Sequence, residues 1–200
     1  THWRTLVLSS GEVWIGEILQ QIGKTPRAGQ QIRLVEIPVF GTYGVFDDLH
    51  GRDNAQQFVD EIKASCQRYY GVVIRPWVEF LTQNYDELPQ YLNSEISRLT
   101  AEWTNPQMAS QVQRVGRRFA LVAIALSLGS RNFILPWTED ESKNAVRRVF
   151  AAWLANRGHT RNSEEYRILK ALERTLNIWE RRLVDEHGSD HSHGSGYRRM

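Results

Sequence analysis

Two hydroxyls and a set of arginines are the residues of this sequence whose positions suit phosphate chemistry. Ser9 and Ser10 follow the apolar run Leu6-Val7-Leu8 and precede Gly11. Such a run reads as a buried strand, and polar groups where a strand gives way to a helix sit where open α/β sheets bind ligands. A hydroxyl there can hydrogen-bond a terminal phosphate or orient a water. The plainer alternative is a capped strand-to-helix turn. Arginine stabilises charge developing on a transferred phosphoryl group, often from a neighbouring subunit. Arg27 stands in the breaker-rich loop Lys24-Thr25-Pro26-Arg27-Ala28-Gly29, free to reach a partner, whereas Arg33 falls inside a second strand pattern and reads more simply as an edge residue. Arg114, Arg117 and Arg118 recur at spacings of three and four, so they share one helix flank. There they would either reach nucleotide phosphates or form a salt-bridge cluster at an interface or in solvent.

Other chemistries find less support. His50 precedes Gly51 in a loop with Asp47, Asp48 and Asp53 nearby, but a histidine anchoring the loop is a simpler reading than a general base. The single cysteine, Cys66, sits in a helical pattern and excludes an internal disulfide. His187, His191 and His193 belong to a Gly/Ser/Asp-rich tail. No G-x-x-x-x-G-K-[ST] loop, Gly-x-Ser-x-Gly elbow or zinc spacing occurs, and no metal ligands are assigned.

The elements that must position these residues are mostly helices. Residues 13–22 have helical apolar spacing and stop at Gly23; Ile32-Arg33-Leu34-Val35-Glu36-Ile37 alternates like a strand and closes at Pro38. A loop follows to about residue 54. Helices are then expected over 55–70, from Pro76 to about 85, and over 88–103. Asn105-Pro106 opens the next, with Val112, Val115, Phe119, Val122 and Leu126 on one face and a stop at Gly129. Trp137-Thr138-Glu139-Asp140-Glu141 is a capping-box signature, starting a helix that buries Ala145, Val149, Phe150, Trp153 and Leu154 and ends at Gly158. The last helix starts at Asn162-Ser163-Glu164-Glu165 with Leu169, Leu172, Leu176, Trp179 and Leu183 at core spacing. From Asp185 the composition predicts disorder.

Composition is that of a globular chain, 41% hydrophobic and 24% charged. No apolar run approaches the ~20 residues that span a bilayer, and the first residues lack signal-peptide order. No membrane association and a cytoplasmic, reducing setting are therefore expected. The net charge of +2 is unevenly distributed: residues 1–113 hold nine cations and thirteen acids, residues 114–183 fourteen and seven. A basic excess on the later helices hints at a polyanion partner.

Read in order, several motifs form a series: the opening through Ser9-Ser10-Gly11-Glu12, then Arg27-Ala28-Gly29-Gln30-Gln31-Ile32-Arg33-Leu34-Val35-Glu36-Ile37-Pro38 and Gly44-Val45-Phe46-Asp47-Asp48-Leu49-His50-Gly51. Arg117-Arg118-Phe119-Ala120-Leu121-Val122-Ala123, Ile134-Leu135-Pro136-Trp137, Phe150-Ala151-Ala152-Trp153-Leu154-Ala155-Asn156-Arg157-Gly158 and Asn162-Ser163-Glu164-Glu165 continue it, so it reaches to about residue 183. The series resembles the C-terminal half of the helicase-like ATPases of prophages, integrated plasmids and cassette chromosomes. This group is known as a domain of unknown function or as inactivated superfamily II helicases, and includes Cch-type self-loading helicases related to MCM. The chain departs from the family's usual run at Ala125-Leu126-Ser127-Leu128-Gly129 and over residues 85–103.

The resemblance implies the C-terminal part of an AAA+-like α/β core, about two strands, plus a helical lid, so that the whole chain is mainly α with a small β component. The expected division is 1–54 core strands and loops, 55–104 a helical region, 105–184 the lid and 185–200 a disordered tail. Walker A and B would precede Thr1. The full-length protein would use ATP and Mg to unwind DNA, single-stranded or forked, as a homo-oligomeric ring; this chain alone would bind neither tightly and would not hydrolyse ATP. Ser10 would be the sensor hydroxyl, Arg27 or Arg33 the trans-acting finger, and Arg117 or Arg118 the lid arginine. The alternative is a non-enzymatic helical module that binds DNA or a protein through its basic C-terminal helices.

Overall fold

The computed structural model describes residues 7–24, 28–39, 41–161 and 163–188. They form helices α1 (Ile15–Gln21), α2 (Ala28–Gln31), α3 (Ala55–Arg68), α4 (Ile74–Gln83), α5 (Leu88–Trp103), α6 (Ser110–Arg131), α7 (Glu139–Arg157) and α8 (Ser163–Gly188). The chain divides into two compact units, Thr1–Thr160 and Arg161–Met200.

The core of the first unit lies where α6 packs between α5 and α7. Val112, Val115, Phe119, Ala120, Ala123, Ile124 and Leu128 of α6 meet Leu99 of α5 and Val146, Phe150 and Trp153 of α7. The expected α6 stripe was narrower and ran through Val122, which is half exposed. A helix flanked on two sides needs a wide buried arc, and the small residues Gly116, Ala120, Ala123 and Ser127 supply it. A Cβ at Gly116 would stand 3.1 Å from Thr104 Cγ2 and 3.6 Å from Phe150 Cζ, so its absence lets the helices approach. On α7 the buried position is Val146; Ala145 is exposed.

Both helix ends at the α6–α7 turn have local causes. Gly129 does not stop α6, because Leu135 folds back onto it: a Cβ there would lie 2.9 Å from Leu135 Cδ1. The amides of Ile134 and Leu135 both donate to the Gly129 carbonyl, at 2.9 and 3.1 Å. The chain reverses instead at Phe133, whose φ is +55°. The Thr138 capping box forms in full, the Glu141 amide donating to the Thr138 hydroxyl and the Thr138 amide to the Glu141 carboxylate. Gly158 ends α7 at φ +74°.

The two expected strands are not formed. Residues 7–10 are irregular and exposed (Leu6 lies outside the described residues), and residues 32–39 are a turn followed by irregular chain. A strand needs a neighbour to satisfy its backbone groups; among the described residues only two isolated bridges occur, Gly41 with Gly44 and Tyr43 with Phe46. Ile32 and Val35 instead pack against the helical core, and the Glu36 carboxylate accepts from the Gly16 amide at 3.1 Å. The N-terminal region is thus a loop-rich strap with two short helices.

In the second unit α8 runs through residues 185–188, where disorder was expected; residues 189–200 lie outside the described residues. Its spacing is amphipathic as expected, but Leu169, Leu172, Leu176 and Trp179 are exposed.

Candidate functional site

The arginine flank of α6 begins one turn into the helix. Arg114 bends back to donate to the Ser110 carbonyl and hydroxyl at 3.3 and 3.2 Å. Arg118 reaches across to donate to the carbonyl of Ile32, a residue 86 positions earlier. Arg117 is exposed and has no hydrogen bond or ion pair among the described residues. On α7, Arg147 is similarly placed in solvent, while Arg148 Nη2 lies 3.7 Å from Asp47 Oδ2, a pair so exposed that it contributes little to stability.

Two of these contacts tie earlier segments to the helix pair: Arg118 of α6 holds Ile32 of the 28–38 segment, and Arg148 of α7 approaches Asp47 of the 44–51 loop. Arg33 follows the residue that Arg118 holds and is itself exposed. Ser10 is exposed in irregular chain, with no hydrogen bond to these groups among the described residues; Arg27 lies outside the described residues. At His50 the backbone amide donates to Asp48 Oδ1 at 2.7 Å and the backbone carbonyl accepts from Arg52 Nη1 at 2.6 Å, while the imidazole lies 5.6 Å from the Phe58 ring.

A second polar constellation, at the far end of α6, was not anticipated. Glu139 accepts from Ser127 Oγ at 2.7 Å and from Arg131 Nε and Nη2 at 3.0 and 2.8 Å, with Lys143 at 3.7 Å. The Arg131 hydrogen bond, followed by that from Ser127, lowers the Glu139 pKa to about 2. The same bond raises that of Arg131, whose guanidinium also lies 6.0 Å from the centre of the Tyr91 ring. Below this group Ser130 Oγ and Ser142 Oγ meet at 2.9 Å in the interior. Arg131 and Glu139 are eight residues apart, one ending α6 and the other beginning α7, a separation that a continuous helix would leave out of contact. Only the fold-back at Gly129 brings them together, and periodicity carries no signal for it.

Near the other end, Arg157 Nη2 donates to Gln111 Oε1 at 2.8 Å and stacks 5.6 Å from the Trp153 ring; burial lowers its pKa. It ties α7 to α6. Among the described residues there is no cluster of histidine, cysteine and acidic side chains that could hold a metal ion. The α6–α7 flank is suited to binding an anion through fixed guanidinium charge rather than to covalent chemistry.

No family model and no solved structure matches the chain. A stretch of 97 residues is 29% identical to the CHD3-type chromatin-remodeling factor CHR7 of Arabidopsis thaliana. The match covers 44% of this chain and 8% of that protein, so the chain spans a small fraction of the relative's length. No helix among the described residues is long and apolar enough to cross a membrane.

Proposed function

We propose that this chain is the C-terminal part of an ATP-dependent DNA helicase of a mobile genetic element. In that role it contributes sensor and trans-acting arginines and a helical lid, while the phosphate-binding loop and the Mg-binding carboxylates belong to preceding residues. The observation that supports this reading is that Arg118 of the 117–123 motif holds Ile32 of the 28–38 segment, 86 residues earlier, against the helical core. Because Arg118 holds the strap, Arg117 is the arginine of that pair left to meet a phosphate. Arg33, on the strap beside Ile32, is the described candidate for reaching a neighbouring subunit. Residues 7–10 and 32–37 take strand form in this reading only when a preceding strand pairs with them, since no neighbouring strand lies beside them among the described residues.

The test uses the longer protein of which the chain is part. It should hydrolyse ATP with Mg and respond to DNA, and residues 1–200 alone should not. Arg33→Ala and Arg117→Ala should each lower kcat by about a thousandfold or more, the scale of arginine participation in phosphoryl transfer. Unchanged kcat in both would overturn the assignment.

A second reading, a non-enzymatic DNA-binding module, is favoured by the exposure of Arg117 and Arg147 and by the similarity to a chromatin-remodeling factor. It requires nucleotide-independent DNA binding by residues 1–200 that weakens steeply with salt. Arg147→Glu with Arg148→Glu would abolish that binding, whereas the helicase reading gives these two no part in hydrolysis.

A further inference from the structure

The end of the bundle remote from the arginine flank has a different surface chemistry. Arg131, in the last turn of α6, lies over Tyr91, near the start of α5, so the α4–α5 turn and the α6–α7 turn share this end. Three aromatic side chains project there: Phe133 is 96% exposed, Tyr85 76% and Trp137 52%. Phe133 is held out by the turn, at a positive φ that a bulky residue adopts only under constraint from its surroundings. Beside Tyr85 opens a shallow cavity of about 450 Å³ lined by Val78, Leu81, Thr82, Tyr85 and Asp86.

The charge around these rings is negative. Arg131 and Lys143 are both directed at Glu139, and Arg75, exposed at the start of α4, is a further cation on the helix that lines the cavity. Asp86, Glu87 and Asp140 are exposed and form no ion pair among the described residues, and Glu141 is occupied only by its own cap. An apolar cavity with a carboxylate at its rim, beside solvent-facing aromatic rings, matches one side-chain chemistry. A long aliphatic stem ending in a cation buries its stem and keeps its charge at the edge, and the ring faces attract that charge further. Nucleic acid is repelled by the same carboxylates.

We infer that the Tyr85–Phe133–Trp137 end of the bundle is a docking surface for a lysine- or arginine-bearing peptide segment of a protein partner. It is separate from the arginine flank and does not depend on whether the chain belongs to a helicase. Anion-binding and cation-binding surfaces would then occupy different parts of one helical bundle.

The experiment measures fluorescence anisotropy of a labelled peptide of alternating arginine and alanine with residues 1–200 at moderate salt. A peptide of alternating glutamate and alanine serves as the control. Binding is expected for the first peptide only. Tyr85→Ala with Phe133→Ala should weaken it by at least about tenfold, the scale of an anchoring aromatic. Both rings are largely in solvent, so thermal unfolding of that variant should match the parent and a folding defect would be visible. Asp86→Asn with Glu87→Gln should weaken binding similarly, whereas Asp60→Asn with Glu61→Gln, acids of α3, should not. Undiminished binding by the Tyr85/Phe133 variant overturns the inference. So does equal weakening by the Asp60/Glu61 variant, which would mean bulk charge alone attracts the peptide, and so does absence of binding by the parent.

Discussion

Arginines at the two ends of α6 have the same side chain and opposite circumstances. Arg117 and Arg118 project from the first half of the helix with no carboxylate beside them, one unpartnered among the described residues and one spent on a backbone carbonyl. Arg131, about 20 Å further along at 1.5 Å per residue, is clamped by Glu139 and stacked near Tyr91. The first pair keeps its charge available to an external anion. In the second the charge is consumed internally, and it fixes the turn that presents Phe133 and Trp137. A count of basic residues in sequence would treat the two ends alike; only the partner of each guanidinium separates a binding group from a structural one.

If both surfaces depend on one core, truncating that core must remove both together. Phe150 is 3% exposed and lies between Trp103, Phe119 and Trp153, with ring centroids 6.2, 5.5 and 5.8 Å away. Phe150→Ala is expected to cost about 3–5 kcal/mol, the largest effect among these variants. Chemical denaturation would report it. A loss under 1 kcal/mol would mean that the two ends are held by separate packing rather than by a shared core.

The clamp at the far end gives a smaller, pH-dependent effect. The folded-state pKa of Glu139, about 2, lies below its ordinary 4.5. A depressed carboxylate pKa contributes stability that is present above the ordinary value and is lost as pH falls through the folded one. The contribution should therefore fade between about pH 4.5 and 2. Because the side chain is one-third exposed, solvent screens the pair, and Glu139→Gln should cost about 1–2 kcal/mol at neutral pH rather than the full shift. Unfolding curves of parent and variant should converge on acidification. Parallel curves down to pH 2 would show that Glu139 acts through packing and not charge.

Much of this architecture was legible in the sequence. Helix α5 has the bounds its spacing implied, and the α7 cap was readable because Thr138 and Glu141 interact within one turn. The arginine flank was legible for the same reason, since three- and four-residue spacings are local geometry. The strand patterns gave no strand at residues 7–8 or 32–37, because an apolar run or an alternation describes a surface that fits a sheet and cannot supply the neighbouring strand. Gly129 was misread as a stop because a glycine needed for the close approach of Leu135 looks, in sequence, like one needed for a left-handed cap. The Arg131–Glu139 clamp and the exposed aromatic end depend on that same reversal.

The smallest expected effect tests the arginine flank itself. Arg118 donates to the Ile32 carbonyl, and Ile32 and Val35 rest on the core, so one guanidinium joins the strap to α6. Removing it takes away one exposed hydrogen bond and should change global stability by less than about 1 kcal/mol. Its consequence should be local. In Arg118→Ala the amides of Arg33 and Leu34, which donate to the Gln30 carbonyl at 3.0 and 2.9 Å, should exchange faster with solvent, while those of α6 stay protected. Arg117→Ala, one residue away, should leave strap exchange unchanged. This contrast would separate the two adjacent arginines into a tie and an anion ligand. If both variants leave the strap equally protected, Arg118 is as free as Arg117 and the flank presents two arginines to a phosphate instead of one.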